Sequence, residues 1–134
     1  MNNPPRLLLI DDCVPIRDLY ELVLTPAFQV VTASRGTEGL VIAMTNRPDV
    51  IVLDVLMPGL DGWETCAALK SNPFTADVPV VLLTSADDRD LTQHAIAVGA
   101  AALLHKPCAA DRLLATVQSA LSDGPVGTVP SEAP

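Results

Sequence analysis

Three short, uninterrupted apolar runs constrain this chain more than anything else in it: Leu7–Ile10, Val50–Leu53 and Val80–Leu83. Each is too short for a buried helix, and none alternates with polar residues. Such runs fit strands covered on both faces, as in a parallel sheet. Phe28–Val31 and Ala102–Leu104 are weaker candidates of the same kind. Helical stripes lie between and after them. Ile16, Leu19, Tyr20 and Val23 recur at i, i+3, i+4 and i+7, with Pro15 in the first turn and Pro26 closing the segment. Leu40, Ala43 and Met44 form a shorter stripe after Gly36. A third helix is expected over Asp61–Lys70, ended by Asn72-Pro73. Leu91, Ala95 and Val98 form a fourth, stopped by Gly99. Ala110, Leu113, Leu114, Val117 and Leu121 form the fifth and most regular. Strand then helix, five times over, specifies an α/β domain with a parallel sheet and right-handed crossovers.

The 134 residues suffice for one such domain with a sizeable core and no disulfide staples. The repeating pattern spans residues 1–121. Residues 122–134 are rich in Gly, Pro and Ser and read as a flexible tail or the stub of a linker. Eight basic residues against sixteen acidic ones give a net charge of −8, which does not suit phosphate contacts to nucleic acid. Cys13, Cys66 and Cys108 are an odd number with no metal-ligand spacing, so reduced thiols are expected. The longest charge-free apolar run, Ala95–Leu104, falls well short of the roughly 20 residues of a membrane span. With no signal peptide at the N-terminus, a cytoplasmic location is expected.

In a parallel sheet every strand C-terminus lies on one edge, and ligands bind outside it. The residues directly after each apolar run are therefore the informative ones. Asp11 and Asp12 come after Ile10, Asp54 after Leu53, Thr84 and Ser85 after Leu83, and His105 and Lys106 after Leu104. One lone Asp at a strand end is commonly just a helix N-cap. Three carboxylates, a hydroxyl and an ammonium delivered to one rim are a different matter. Three carboxylates that close cannot all stay ionised without countercharge. Lys106 supplies one positive charge. All-oxygen ligands point to Mg²⁺ for the rest, which keeps waters and takes a phosphate oxygen. A carboxylate can attack phosphorus to give an aspartyl phosphate. Asp54 is the best placed, ending its run alone and leading into a loop. Asp11 and Asp12 would hold the metal, and Lys106 and Thr84 would each meet a phosphoryl oxygen. Trp63 reads as a helix-packing residue and His94 and His105 as boundary residues. No nucleophile elbow and no GxxxxGK[ST] phosphate loop occur.

These residues resemble the receiver domain of two-component response regulators, in its chemotaxis-receiver-like form. The matching motifs are Leu9-Ile10-Asp11-Asp12, Asp54 through Gly62 (DVLMPGLDG), Leu83-Thr84-Ser85-Ala86, Gly99-Ala100 and His105-Lys106-Pro107, in the family's order over about residues 6–121. The resemblance implies a doubly wound, flavodoxin-like sheet of order 2-1-3-4-5, with two helices on one face and three on the other. It implies a signalling phosphoacceptor, not an enzyme in the ordinary sense, which assists its own phosphotransfer and dephosphorylation. The donor would be a histidine kinase, a phosphotransfer protein or a small phosphodonor. Asp54 would be the acceptor. Asp12 and Asp54 would ligate Mg²⁺ directly, Asp11 through water, and the Leu56 carbonyl would complete the protein ligands. Thr84 and Lys106 would contact the phosphoryl group, with a cis peptide before Pro107.

Three departures from the family pattern stand out. Leu103 occupies the position of the usual Tyr or Phe, leaving the aromatic signalling switch without its ring. Leu56, two residues after the acceptor, is apolar. Ala101 and Ala102 lack the charges many DNA-binding relatives use for dimer salt bridges. Activation is therefore expected as changed association with a partner or a second copy, through the fourth helix and fifth strand. No nucleic-acid or membrane partner is expected within these residues. Two rivals are a phosphorylation-independent pseudo-receiver and an aspartate-dependent phosphohydrolase; the latter wants a DxD pair, where this chain has Asp11-Asp12-Cys13.

Overall fold

The structure, a computed structural model, describes residues 3–86 and 89–122. Five strands alternate with five helices: β1 (Arg6–Ile10), α1 (Val14–Leu24), β2 (Gln29–Ala33), α2 (Gly36–Thr45), β3 (Val50–Asp54), α3 (Gly62–Ser71), β4 (Val80–Thr84), α4 (Leu91–Ala97), β5 (Ala102–His105) and α5 (Ala110–Ser122). All strand pairs are parallel, in the order β2-β1-β3-β4-β5. The expected sheet and order are both present.

Two cores follow from the two-residue period of a strand. Leu8, Ile10, Ile51, Leu53, Val80 and Leu82 point to one face, where Ala43, Cys66, Leu69 and Ala95 of α2, α3 and α4 cover them. Leu7, Leu9, Val50, Val52, Val81 and Leu83 point to the other, under Tyr20 and Leu24 of α1 and Leu113 and Val117 of α5. β3 and β4 are buried along their whole length, which is why their sequences carry no polar alternation. The split of three helices to one face and two to the other matches the resemblance.

Some details differ from the pattern in the sequence. Leu19 is exposed and Leu24 is fully buried, so the inner stripe of α1 runs Ile16, Tyr20, Val23, Leu24. Met44 of α2 is exposed too. β2 begins at Gln29, one residue after Phe28, whose ring joins the core from the turn. Most of the run Ala95–Leu104 packs inward. Ala95, Ala100, Ala101 and Leu104 are buried, leaving Ile96 as its exposed large apolar side chain. Ser122 closes α5; the rest of the segment read as a tail, 123–134, lies outside the described residues. Among the described residues, no helix is long and apolar enough to cross a membrane.

Candidate functional site

The register aligns the strand ends that carry the chemistry. Ile10 pairs with Leu53 and Asp54 with Leu83, so Asp11 and Asp54 emerge side by side at the sheet's C-terminal edge. Thr84 ends β4 opposite His105, and its carbonyl accepts from the Lys106 amide at 2.8 Å. Asp11, Asp12 and Asp54 each offer a carboxylate oxygen, all within 4.8 Å of one another. Asp11 and Asp54 are buried, whereas Asp12 is exposed. Lys106 Nζ lies 3.0 Å from Asp11 Oδ2 and 3.2 Å from Asp54 Oδ1. The Lys106–Pro107 peptide is cis. Thr84 is fully buried, and its Oγ1 accepts from the Ala86 amide at 3.0 Å.

The electrostatics follow from crowding at a dry edge. Burial foremost, and then the charge of Asp11, pushes the Asp54 carboxyl up to about 6 against the opposing pull of Lys106. Burial alone would favour a neutral Lys106 amine. Its hydrogen bond to Asp11 and the charges of Asp54 and Asp11 outweigh that and hold it above its ordinary value. One ammonium thus bridges two of the three clustered carboxylates. The oxygen-only donor set and the surplus negative charge fit a hard divalent cation.

Two positioning elements were not legible as such. Arg17, in the second turn of α1, donates from Nη1 to the Asp11 carbonyl at 2.9 Å, while the Cys13 amide donates to Asp11 Oδ1 at 2.9 Å. A cation shortly after an acidic pair was the available signal. Gly62 opens α3 against the peptide of Asp54. Its amide donates to the Val55 carbonyl at 2.8 Å, and a Cβ there would stand 2.4 Å from the Asp54 carbonyl oxygen. Asp61 fixes the entry to this helix through a capping box, its side chain accepting from the Glu64 amide while Glu64 accepts from the Asp61 amide.

The family model described as the response regulator receiver domain matches residues 7–118. The chain belongs to the response regulator receiver domain family. Receiver domains are signalling domains of two-component systems, so phosphorelay signalling is the function class of this one. This receiver is 40% identical over 115 residues to the response regulator PleD of Caulobacter vibrioides, covering 85% of this chain and 25% of PleD. It is 36% identical over 132 residues to the response regulator MprA of Mycobacterium sp. (strain KMS), covering 98% of this chain and 55% of MprA. The chain thus spans a quarter to about half the length of these curated relatives. Among solved structures it resembles the chemotaxis protein CheY4 of Vibrio cholerae, with a TM-score of 0.83 and 34% identity over 87% of this chain and 98% of that one. It also resembles the receiver domain of a signal transduction histidine kinase from Syntrophus aciditrophicus, with a TM-score of 0.82 and 30% identity over 89% of this chain and 91% of that one.

Proposed function

We propose that this receiver accepts a phosphoryl group on Asp54, in a Mg²⁺-dependent step, from a histidine kinase or phosphotransfer partner in the cytoplasm. The observation that carries the reading is the convergence of Asp11, Asp12, Asp54 and Lys106 at one edge of the sheet. With its carboxyl at about 6, Asp54 is mostly ionised at neutral pH and is a competent nucleophile. One carboxylate oxygen forms the new bond to phosphorus as the donor's P–N or P–O bond breaks, and the donor leaves with the bonding pair. Lys106 bridges two carboxylates, which supports a role in neutralising a phosphoryl oxygen. The Thr84 hydroxyl supplies a further hydrogen bond. Asp12 and Asp54 would hold Mg²⁺ directly, Asp11 through water, with the Leu56 carbonyl as the remaining protein ligand. Bound there, Mg²⁺ offsets the carboxylate charge and orients a phosphoryl oxygen.

The output is changed association with a downstream protein or a second copy through α4 and β5. Intact-mass spectrometry after incubation with acetyl phosphate tests the acceptor reading. One added phosphate is expected with Mg²⁺ and none with EDTA or in Asp54→Asn. A protein that stays unlabelled under all conditions would be a pseudo-receiver instead.

A further inference from the structure

α3 meets α4 and its C-terminal cap, Val98, at two levels, one helical turn apart. At the upper level the rings of Trp63 and His94 are stacked, with centroids 3.9 Å apart and planes 13° from parallel. At the lower level Cys66 Sγ donates to the Val98 carbonyl at 3.5 Å. In sequence Trp63 and His94 look unconnected and purely structural; the fold makes them partners. Their location gives the stack its meaning. Trp63 directly follows Gly62, whose backbone is pressed against the Asp54 peptide. His94 lies on α4, which comes after the loop leaving Thr84. The stack therefore ties the helix that opens against the Asp54 peptide to α4, the helix that follows β4 in the chain. It lies on the same sheet face as Leu103, which packs against the same core as Trp63 and has no ring to turn.

We infer that the Trp63–His94 stack is a latch that couples the Asp54 site to the position of α4, standing in for the aromatic residue that Leu103 replaces. The inference rests on the phosphoacceptor reading. In the arrangement with the stack formed, Lys106 is committed to two carboxylates and Thr84 Oγ1 to the Ala86 amide. Loading the site redirects both groups and bears on the Asp54–Gly62 backbone contact, which strains the stack at the neighbouring Trp63. Coupling of this kind is reciprocal, so weakening the latch must ease loading.

Trp63 is the chain's one tryptophan, so its emission reports the latch directly. Beryllofluoride with Mg²⁺ serves as the probe, with ¹⁹F NMR to score site occupancy independently. The wild type should change Trp63 emission and acrylamide quenching on loading. His94→Ala should lose at least half of that change and bind beryllofluoride about threefold or more tighter. His94→Phe, which keeps a stacking ring, should restore both toward wild type. Full occupancy by ¹⁹F with an emission change and affinity in His94→Ala equal to wild type would overturn the latch and leave the receiver reading standing. Absence of any bound ¹⁹F signal in the wild type would overturn the phosphoacceptor reading, and the latch with it.

Discussion

At the scale of single residues, the site stores electrostatic free energy that the fold itself does not need. Asp54 has its carboxyl raised from 3.8 to about 6, so the native state binds that proton more tightly than the unfolded chain does. The stabilising contribution of protonated Asp54 is complete below pH 3.8 and is lost as pH rises through about 6. A displacement of that size corresponds to roughly 2–3 kcal/mol. In EDTA at pH 7.5, Asp54→Asn should therefore be more stable than wild type by roughly 1–3 kcal/mol, with the gain shrinking toward zero at pH 4. Urea melts at the two pH values check this; a gain independent of pH would assign the effect to packing. Gly62 makes the opposite case, a residue retained for space. Its Cβ vector points at the Asp54 carbonyl, so Gly62→Ala forces β3 and α3 apart. Overpacking of this kind costs about 1–3 kcal/mol and should slow labelling of Asp54 as well. Wild-type stability and labelling rate in that variant would show that the loop yields freely.

At the scale of elements, the strand ends were legible because a parallel sheet gathers them on one edge whatever the helices do. Asp11, Asp12, Asp54, Thr84 and Lys106 group together on sequence alone. Period and burial disagreed where the pattern was one-sided. β2 is an edge strand whose residues alternate in exposure, so its bounds shifted by a residue or two. In α1, Leu19 of the expected stripe is exposed, while Leu24, outside that stripe, is fully buried in the same core as Tyr20. The Trp63–His94 stack was illegible for a different reason: the two positions are far apart in sequence, and only the crossing of α3 and α4 joins them. The start of α5 is also weak, as its composition suggests. The Leu113 amide donates to the Ala109 carbonyl at 3.0 Å, which makes Ala109 the N-cap, and Ala offers no side-chain acceptor to the free amides. Ala109→Asp should stabilise the protein by about 0.5–2 kcal/mol in urea melts. A null or negative effect would place the cap elsewhere.

At the scale of the whole molecule, folding and the proposed metal binding and phosphorylation would draw on the same cluster of charges. A ligand that binds only the native state raises its stability by about 1.4 kcal/mol at ten times its dissociation constant. Mg²⁺ at that level should raise the melting temperature by several degrees. The effect should be much smaller in Asp12→Ala, and it should fade below about pH 6 as Asp54 takes up its proton. Equal Mg²⁺ shifts in both proteins would remove Asp12 from the metal site. Phosphorylation as proposed puts the phosphoryl group on the Asp54 carboxylate. Borohydride reduction of the acetyl phosphate-treated protein tests it most directly, because it converts an acyl phosphate to an alcohol and leaves a free carboxylate unchanged. Peptide mass spectrometry should then find homoserine at position 54 in the Mg²⁺-treated wild type and intact aspartate there in the EDTA control; homoserine at another aspartate, or at none, would contradict the account.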